Sequence, residues 1–157
     1  MPAGVPNVFF MATKTKTQSD SGFSAEEIAA MKSRAAELRA EKGGAKKADE
    51  AERCLEAIAE MSQPDRRLAE RIHAIAISAA PDLDVSTWYG FPAYKKNGKV
   101  ICFFKPAAKF KDRYATFGFE TTAALDDGTV WPVAFAITEI TPADEKKLRA
   151  LVKKAAG

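Results

Sequence analysis

The side chains best suited to chemistry lie in one stretch, residues 94–114, where basic residues are interspersed with aromatic ones. Cationic groups attract anions and aromatic rings offer apolar or stacking contacts. This mixture is therefore typical of a site for an anionic small molecule or single-stranded nucleic acid. Three more aromatic residues, Trp88, Tyr89 and Phe91, come shortly before the stretch. The predicted ligand contacts are Trp88, Tyr89, Tyr94, Lys96, Lys99, Lys105, Lys109 and Arg113.

The positive charge of this stretch is local. Between Lys95 and Arg113 there are seven basic residues and one acidic residue, yet the whole chain carries a net charge of only +3. The remainder of the chain is thus acidic, which argues against nucleic acid as the partner. The alternative interpretation is a solvated basic loop above a core of phenylalanine and tyrosine.

A second group of charged residues is acidic. Asp49 and three glutamates follow one another at intervals of three and four residues, which places them on one face of a helix. Carboxylate oxygens are the ligands that hard cations prefer. The predicted metal ligands are Glu52, Glu56 and Glu60, and the alternative is a plain solvated helix face.

Most other catalytic chemistry is missing from the sequence. There is one histidine, His73, and there are two cysteines, Cys54 and Cys102. These numbers argue against a histidine- or thiolate-based metal site. The motifs of P-loops, dinucleotide-binding folds, zinc proteases and nucleophile elbows are absent. We therefore expect a non-enzymatic cytoplasmic protein without a membrane span, in which both cysteines are small buried hydrophobic residues.

The elements that must position these residues begin after a polar segment, residues 1–22, which we predict to be a disordered tail. An N-terminal helical extension, residues 24–61, follows it. Its first helix begins at the capping box of Ser24 and ends at Gly43-Gly44. The apolar positions predicted to face inward are Ile28, Met31, Ala35 and Leu38 in the first helix, and Ala51, Leu55 and Ile58 in the second.

The remaining residues, 62–157, are predicted to form one α+β domain. It begins with a helix that ends before Pro81. Two strand-like runs, 91–96 and 99–104, are separated by Asn97-Gly98, which is a strong signal for a hairpin with a type I′ turn. Strands near 114–119 and 133–140 and a last helix capped by Thr141 complete the domain. The predicted fold class is α+β, with an antiparallel sheet of four to five strands packed against helices.

The two-residue turn also predicts which hairpin residues face each other. It pairs Tyr94 with Ile101 and Ala93 with Cys102. Because side chains alternate along a strand, Tyr94, Ile101 and Phe103 are expected on one face of the sheet.

The stretch from Trp88 to Phe104, with its Tyr-Gly-x-Pro-Ala-Tyr motif and Asn-Gly turn, resembles the YdhG-like family. Two later segments, Lys105 to Phe119 and Leu125 to Pro132, extend the resemblance, which covers roughly residues 62–155. This family is grouped with frataxin-like iron-binding proteins. The resemblance implies a small α+β domain, bound iron, and iron–sulfur assembly proteins as partners. Many members carry a histidine about where this chain has Arg113, and that departure favours an anion over a metal at this position.

Overall fold

The computed structural model describes residues 22–44 and 46–157. The predicted disordered tail lies outside these residues, apart from Gly22. Four helices and five strands make up the described part, together with a short 3₁₀ helix at Ala108–Phe110. The helices are α1 (Ala25–Lys42), α2 (Lys47–Ala59), α3 (Asp65–Ala79) and α4 (Pro142–Ala156). The strands are β1 (Asp84–Trp88), β2 (Phe91–Lys96), β3 (Lys99–Lys105), β4 (Ala115–Phe119) and β5 (Ala134–Ile137). The predicted α+β class is confirmed.

The five strands form one antiparallel sheet in the order β1-β2-β3-β4-β5. The predicted turn between β2 and β3 is confirmed, since Asn97 and Gly98 both have positive φ, 53° and 79°. A second turn of the same kind joins β1 to β2, where Tyr89 and Gly90 have φ of 54° and 84°. Strand β1 was not predicted from the sequence.

The predicted pairing of the β2–β3 hairpin holds only near its turn. Lys96 pairs with Lys99 and Lys95 with Val100, as expected, but Tyr94 pairs with Cys102 and Ala93 with Phe103. The register shifts at a bulge between Tyr94 and Lys95. A bulge places an extra residue in one strand, so it moves the side chains beyond it to the opposite faces.

Because of that shift, Tyr94 and Phe103 lie on opposite faces of the sheet, and their predicted common face is wrong. Tyr94 belongs to the main core, which lies between the sheet and helices α2, α3 and α4. Phe103 belongs to a second, smaller core on the other face, whose buried members are Ala30, Trp88, Phe91, Ala93, Phe103 and Phe110.

Helix α1 covers this second face, and the structure corrects its predicted orientation. The capping box at Ser24 forms as expected, with Glu27 as its partner. The buried residues of the helix, however, are Glu27, Ala30 and Glu37, whereas Leu38 is 45% exposed. Glu37 faces the sheet because the backbone N–H groups of the β1–β2 turn donate to it, whereas Glu27 is held by the capping box.

Helix α2 departs from the prediction at Leu55, which is 52% exposed. Ile58 enters the main core as predicted, and Cys54 enters it in addition. None of the four helices in the described ranges is both long enough and apolar enough to span a membrane.

Candidate functional site

The structure separates the predicted ligand contacts of the β2–β3 hairpin. Tyr94 is only 1% exposed and packs in the main core. Lys99 is exposed at the hairpin tip, and Lys96 is exposed and donates to the backbone carbonyl of Ala156 at 2.6 Å. Trp88 is buried in the second core, with Tyr89 packed against it. These five residues therefore do not share one surface.

Three of the seven basic residues in the stretch 94–114 form ion pairs, two with acids of α1 and one with an acid of the stretch itself. Three lysines form ion pairs within 3.3 Å: Lys95 with Glu41 at 2.7 Å, Lys105 with Asp112 at 3.2 Å and Lys111 with Glu26 at 2.9 Å. Lys105 is in addition 4% exposed and lies 4.8 Å from the ring centre of Phe110. Arg113 is exposed and packs over the ring of Tyr114.

Lys109 is placed differently, because it lines a cleft between the helical extension and the sheet. The cleft has two lobes, of about 380 and 480 Å³. Both lobes are bordered by Ala57, Glu60, Gly90 and Lys109. The larger lobe lies against α1 and α2, and the smaller one against the start of α3 and the 3₁₀ helix. Small ligands bind in concave sites of this size, and we take this cleft as the candidate site.

The floor of the cleft is the β1–β2 turn, which Glu37 of α1 holds in place. The carboxylate of Glu37 accepts a hydrogen bond from the backbone N–H of Tyr89 at 3.0 Å and one from Gly90 at 2.9 Å. Arg34 donates to the same carboxylate at 3.3 Å. Both oxygens of this buried acid are thus engaged, and Glu37 acts as a structural anchor.

The amino group of Lys109 lies directly over Gly90. Its Nζ is 3.4 Å from the carbonyl oxygen of Gly90. A Cβ added at residue 90 would come within 2.7 Å of Nζ, so the missing side chain of glycine provides the space. Lys109 is an exposed residue, and its partial desolvation at the cleft lowers its pKa, while the charges of Glu37 and Glu60 act in the opposite direction.

Three further charged side chains line the larger lobe: Arg53, Glu56 and Glu60. Neither they nor Lys109 form an ion pair with another residue in the described part of the chain. The cleft is therefore lined by two cations and two carboxylates that have no oppositely charged partner within 4 Å among the described residues. Alanines at 36, 40 and 57 form its apolar walls.

The predicted metal ligands are only partly together. Glu56 and Glu60 line the larger lobe, whereas Glu52 is exposed on α2 and is not part of either lobe. Within residues 22–44 and 46–157, no three histidine, cysteine, aspartate or glutamate side chains form a group that could hold one metal ion.

The histidine and one of the cysteines both interact with Tyr94 of the main core. Nδ1 of His73 and the hydroxyl of Tyr94 share a hydrogen bond of 2.9 Å. Burial raises the pKa of the Cys54 thiol to about 12, and the neighbouring hydroxyl of Tyr94 acts in the opposite direction. Burial likewise raises the pKa of Cys102 and lowers that of His73. Both cysteines are free and buried, as predicted.

Sequence reasoning selected Lys109, Glu56 and Glu60 but assigned them to two separate sites. It missed Arg53 and Gly90. Gly90 carried no clear signal, because the strand before it, β1, was not apparent in the sequence and Tyr-Gly is not one of the favoured hairpin dipeptides. Nothing in the sequence indicated that α1 and α2 lie beside the β1–β2 turn.

Comparison with protein-family models, with curated proteins and with solved structures returns no match. The resemblance to the YdhG-like family therefore stays a prediction.

Proposed function

We propose that this chain is a non-enzymatic binding protein whose ligand is a small organic acid, held in the cleft at Lys109. The proposal rests on four charged side chains that line one cleft and form no ion pair with any described residue: Lys109, Arg53, Glu56 and Glu60. Elsewhere in the basic stretch, Lys95, Lys105 and Lys111 are paired with acids. A cation that lines a cavity without such a partner is available for a ligand.

The charges of the cleft also suggest the kind of acid. Lys109 and Arg53 would attract a carboxylate, while Glu56 and Glu60 would accept hydrogen bonds from hydroxyl or ammonium groups. The same two glutamates would repel a polyanion, because like charges in a confined site are unfavourable. Small hydroxy acids and amino acids fit these requirements, and nucleic acid does not.

Ferrous iron is the competing proposal, since two of the three predicted metal ligands, Glu56 and Glu60, line the larger lobe. Carboxylates suit hard cations, but a stable site needs more ligands than these two. An iron-delivery role would require the missing ligands to come from a partner such as an iron–sulfur assembly protein.

The test is a titration followed by two-dimensional amide NMR, with lactate, glycine and glutamate as the first probes. We expect shift changes grouped at Gly90, Lys109 and the end of α2. Lys109→Gln should weaken binding by about tenfold or more, since a hydrogen bond to a charged group contributes roughly 1.5–3 kcal/mol.

Lys99→Gln is the matched control, because it removes the same charge from the exposed hairpin tip. It should leave the affinity unchanged. Shift changes centred on the hairpin tip, or equal losses in both variants, would refute the proposal. A ferrous titration that is abolished by Glu56→Gln and Glu60→Gln, with no response to the acids, would favour iron instead.

A further inference from the structure

The smaller lobe of the cleft differs in charge from the larger one. Two carboxylates border it, those of Asp65, the first residue of α3, and of Glu60, at the C-terminal cap of α2. Among the described residues that line this lobe, Lys109 is the one cation, and it borders the larger lobe as well. In the larger lobe Arg53 is a second cation. The smaller lobe therefore carries the excess of negative charge.

Asp65 is almost completely enclosed, since it is only 3% exposed. Its Oδ2 accepts a hydrogen bond from the backbone N–H of Ala108 at 2.8 Å. Its other oxygen, Oδ1, has no hydrogen-bond or ion-pair partner in residues 22–44 and 46–157, and it is not sealed off from solvent. Because an enclosed carboxylate is unfavourable without partners, this oxygen is suited to a donor that enters the lobe.

The end of helix α2 adds to the negative potential of the same lobe. Ala57 and Glu60 lie at this end and border the lobe. The free carbonyl groups at the C-terminus of a helix carry partial negative charge, and the last turn of α2 contains no basic residue to offset it. The positive end of α3, in contrast, is offset by Asp65 in its own first turn. The surroundings of the lobe thus favour a cation.

We propose that the smaller lobe is a pocket for an ammonium group of the ligand, held by Asp65 and Glu60. This inference rests on the proposed function, and it narrows the ligand class from small organic acids to amino acids. The carboxylate of the amino acid lies at the border of the two lobes, where Lys109 serves both and Arg53 approaches from the larger one.

The donors of an ammonium group match the acceptors of the lobe. An ammonium group has three N–H donors, and the lobe offers two carboxylates and the hydroxyl of Ser62, which also lines it. A hydroxyl group has one donor and no charge, so a hydroxy acid leaves Asp65 without a cation. Hydrogen bonds between two charged groups are stronger than those of neutral donors. The pocket therefore discriminates in favour of the amino acid.

The experiment compares L-alanine with L-lactate, which differ only in the ammonium group and the hydroxyl group. Both are titrated into the full chain and followed by two-dimensional amide NMR. We expect alanine to bind several-fold more tightly than lactate, with additional shift changes at Ser62, Asp65 and Ala108. Equal affinities for the two acids would overturn the ammonium pocket.

Asp65→Asn removes the charge but keeps an oxygen that can accept from the N–H of Ala108. It should weaken alanine binding by about tenfold, the loss expected for a hydrogen bond to a charged group, and leave lactate binding unchanged. Asp127→Asn is the matched control, because Asp127 is exposed and lies outside both lobes. Equal losses for alanine and lactate in Asp65→Asn would mean a general disturbance of the cleft and would also overturn the pocket.

Methylammonium separates this inference from the proposed function, since it carries no acid group. If lactate does not bind but methylammonium shifts the amides of Ser62, Asp65 and Ala108 in the wild-type protein and not in Asp65→Asn, acid binding fails and the ammonium pocket stands. If neither methylammonium nor alanine shifts these amides, the pocket is refuted, whatever lactate does.

Discussion

The carboxylate of Glu37 accepts a hydrogen bond of 2.9 Å from the backbone N–H of Gly90, a residue 53 positions later in the chain. Its other oxygen accepts from the neighbouring N–H of Tyr89 at 3.0 Å. The pair of bonds fixes α1 to the β1–β2 turn, and this junction is also the edge of the cleft. Two residues that are remote in sequence thereby define the geometry of the candidate site.

Replacement of Glu37 by alanine should lower the free energy of unfolding by about 1–3 kcal/mol, because it leaves two partly buried N–H groups without their acceptor. Urea denaturation measures this loss. Faster hydrogen exchange at the amides of Tyr89 and Gly90 would show that it is local.

Glu52→Ala is the control for Glu37→Ala, since it removes an exposed glutamate from α2 and should change the stability by less than about 0.5 kcal/mol. Similar losses in the two variants would mean that Glu37 is not an anchor.

Gly90→Ala should destabilise the protein for two reasons. The left-handed backbone, φ 84°, costs an L-residue roughly 1–2 kcal/mol. The new Cβ would also lie 3.0 Å from Oγ of Ser33 and would displace the amino group of Lys109.

Gly128→Ala separates the two costs of the Gly90 substitution. Gly128 has a similar φ of 72°, but no neighbouring atom lies within 4 Å of its Cβ position. Thermal unfolding of both variants should show the greater loss for Gly90→Ala. A larger loss at Gly128 would contradict the crowding described at Gly90.

Gly118→Ala tests the packing of the second core. A Cβ at residue 118 would lie 2.5 Å from a ring carbon of Phe103, and overpacking of this kind costs about 1–3 kcal/mol. In a Phe103→Leu background the smaller side chain leaves room for the new Cβ, so Gly118→Ala should cost less free energy of unfolding there than in the wild-type protein. A double-variant cycle measured by urea denaturation reports the coupling, and purely additive losses would argue against this contact.

His73 should make the stability depend on pH. Burial lowers its pKa below the ordinary 6.5, so the fold favours the neutral ring. The unfolded chain then binds the proton more readily, and stability is complete above pH 6.5 and falls as the pH drops through the lowered pKa.

His73→Gln removes the titrating group and should flatten the stability change between pH 7 and 5. Denaturant unfolding at several pH values measures the difference. An equally steep decline in the variant would assign the pH dependence to carboxylates instead.

The helix ends and turns were predictable because local chemistry determines them. Ser24 and Thr141 cap helices through capping boxes, Gly43 ends α1, and Asn97-Gly98 forms the expected turn. These features depend on residues a few positions apart. Strand β1 was missed because its sequence, Asp-Val-Ser-Thr-Trp, has too few apolar residues to show a clear alternation.

The orientation of α1 and the β2–β3 register could not be predicted from residues close together in the sequence. The apolar stripe of Ile28 and Leu38 indicated the wrong face, because Glu37 and Glu41 find partners on the sheet that the helix sequence does not reveal. The bulge at Tyr94 has no local signal either. The partners of Lys95 and Lys111, Glu41 and Glu26 of α1, could not be placed from the sequence either, so the basic stretch looked less neutralised than it is.

The strand order β1-β2-β3-β4-β5 means that every strand pairs with its neighbour along the chain. Two of the four pairings close a two-residue turn, and such short loops lose little chain entropy. The contact order of the sheet is therefore low, and folding rates increase as contact order falls. Successive hairpins can form one after another from local contacts, while the Glu37 junction depends on a contact across more than fifty residues. We expect the sheet to form early in folding and the cleft to be completed late, when α1 docks.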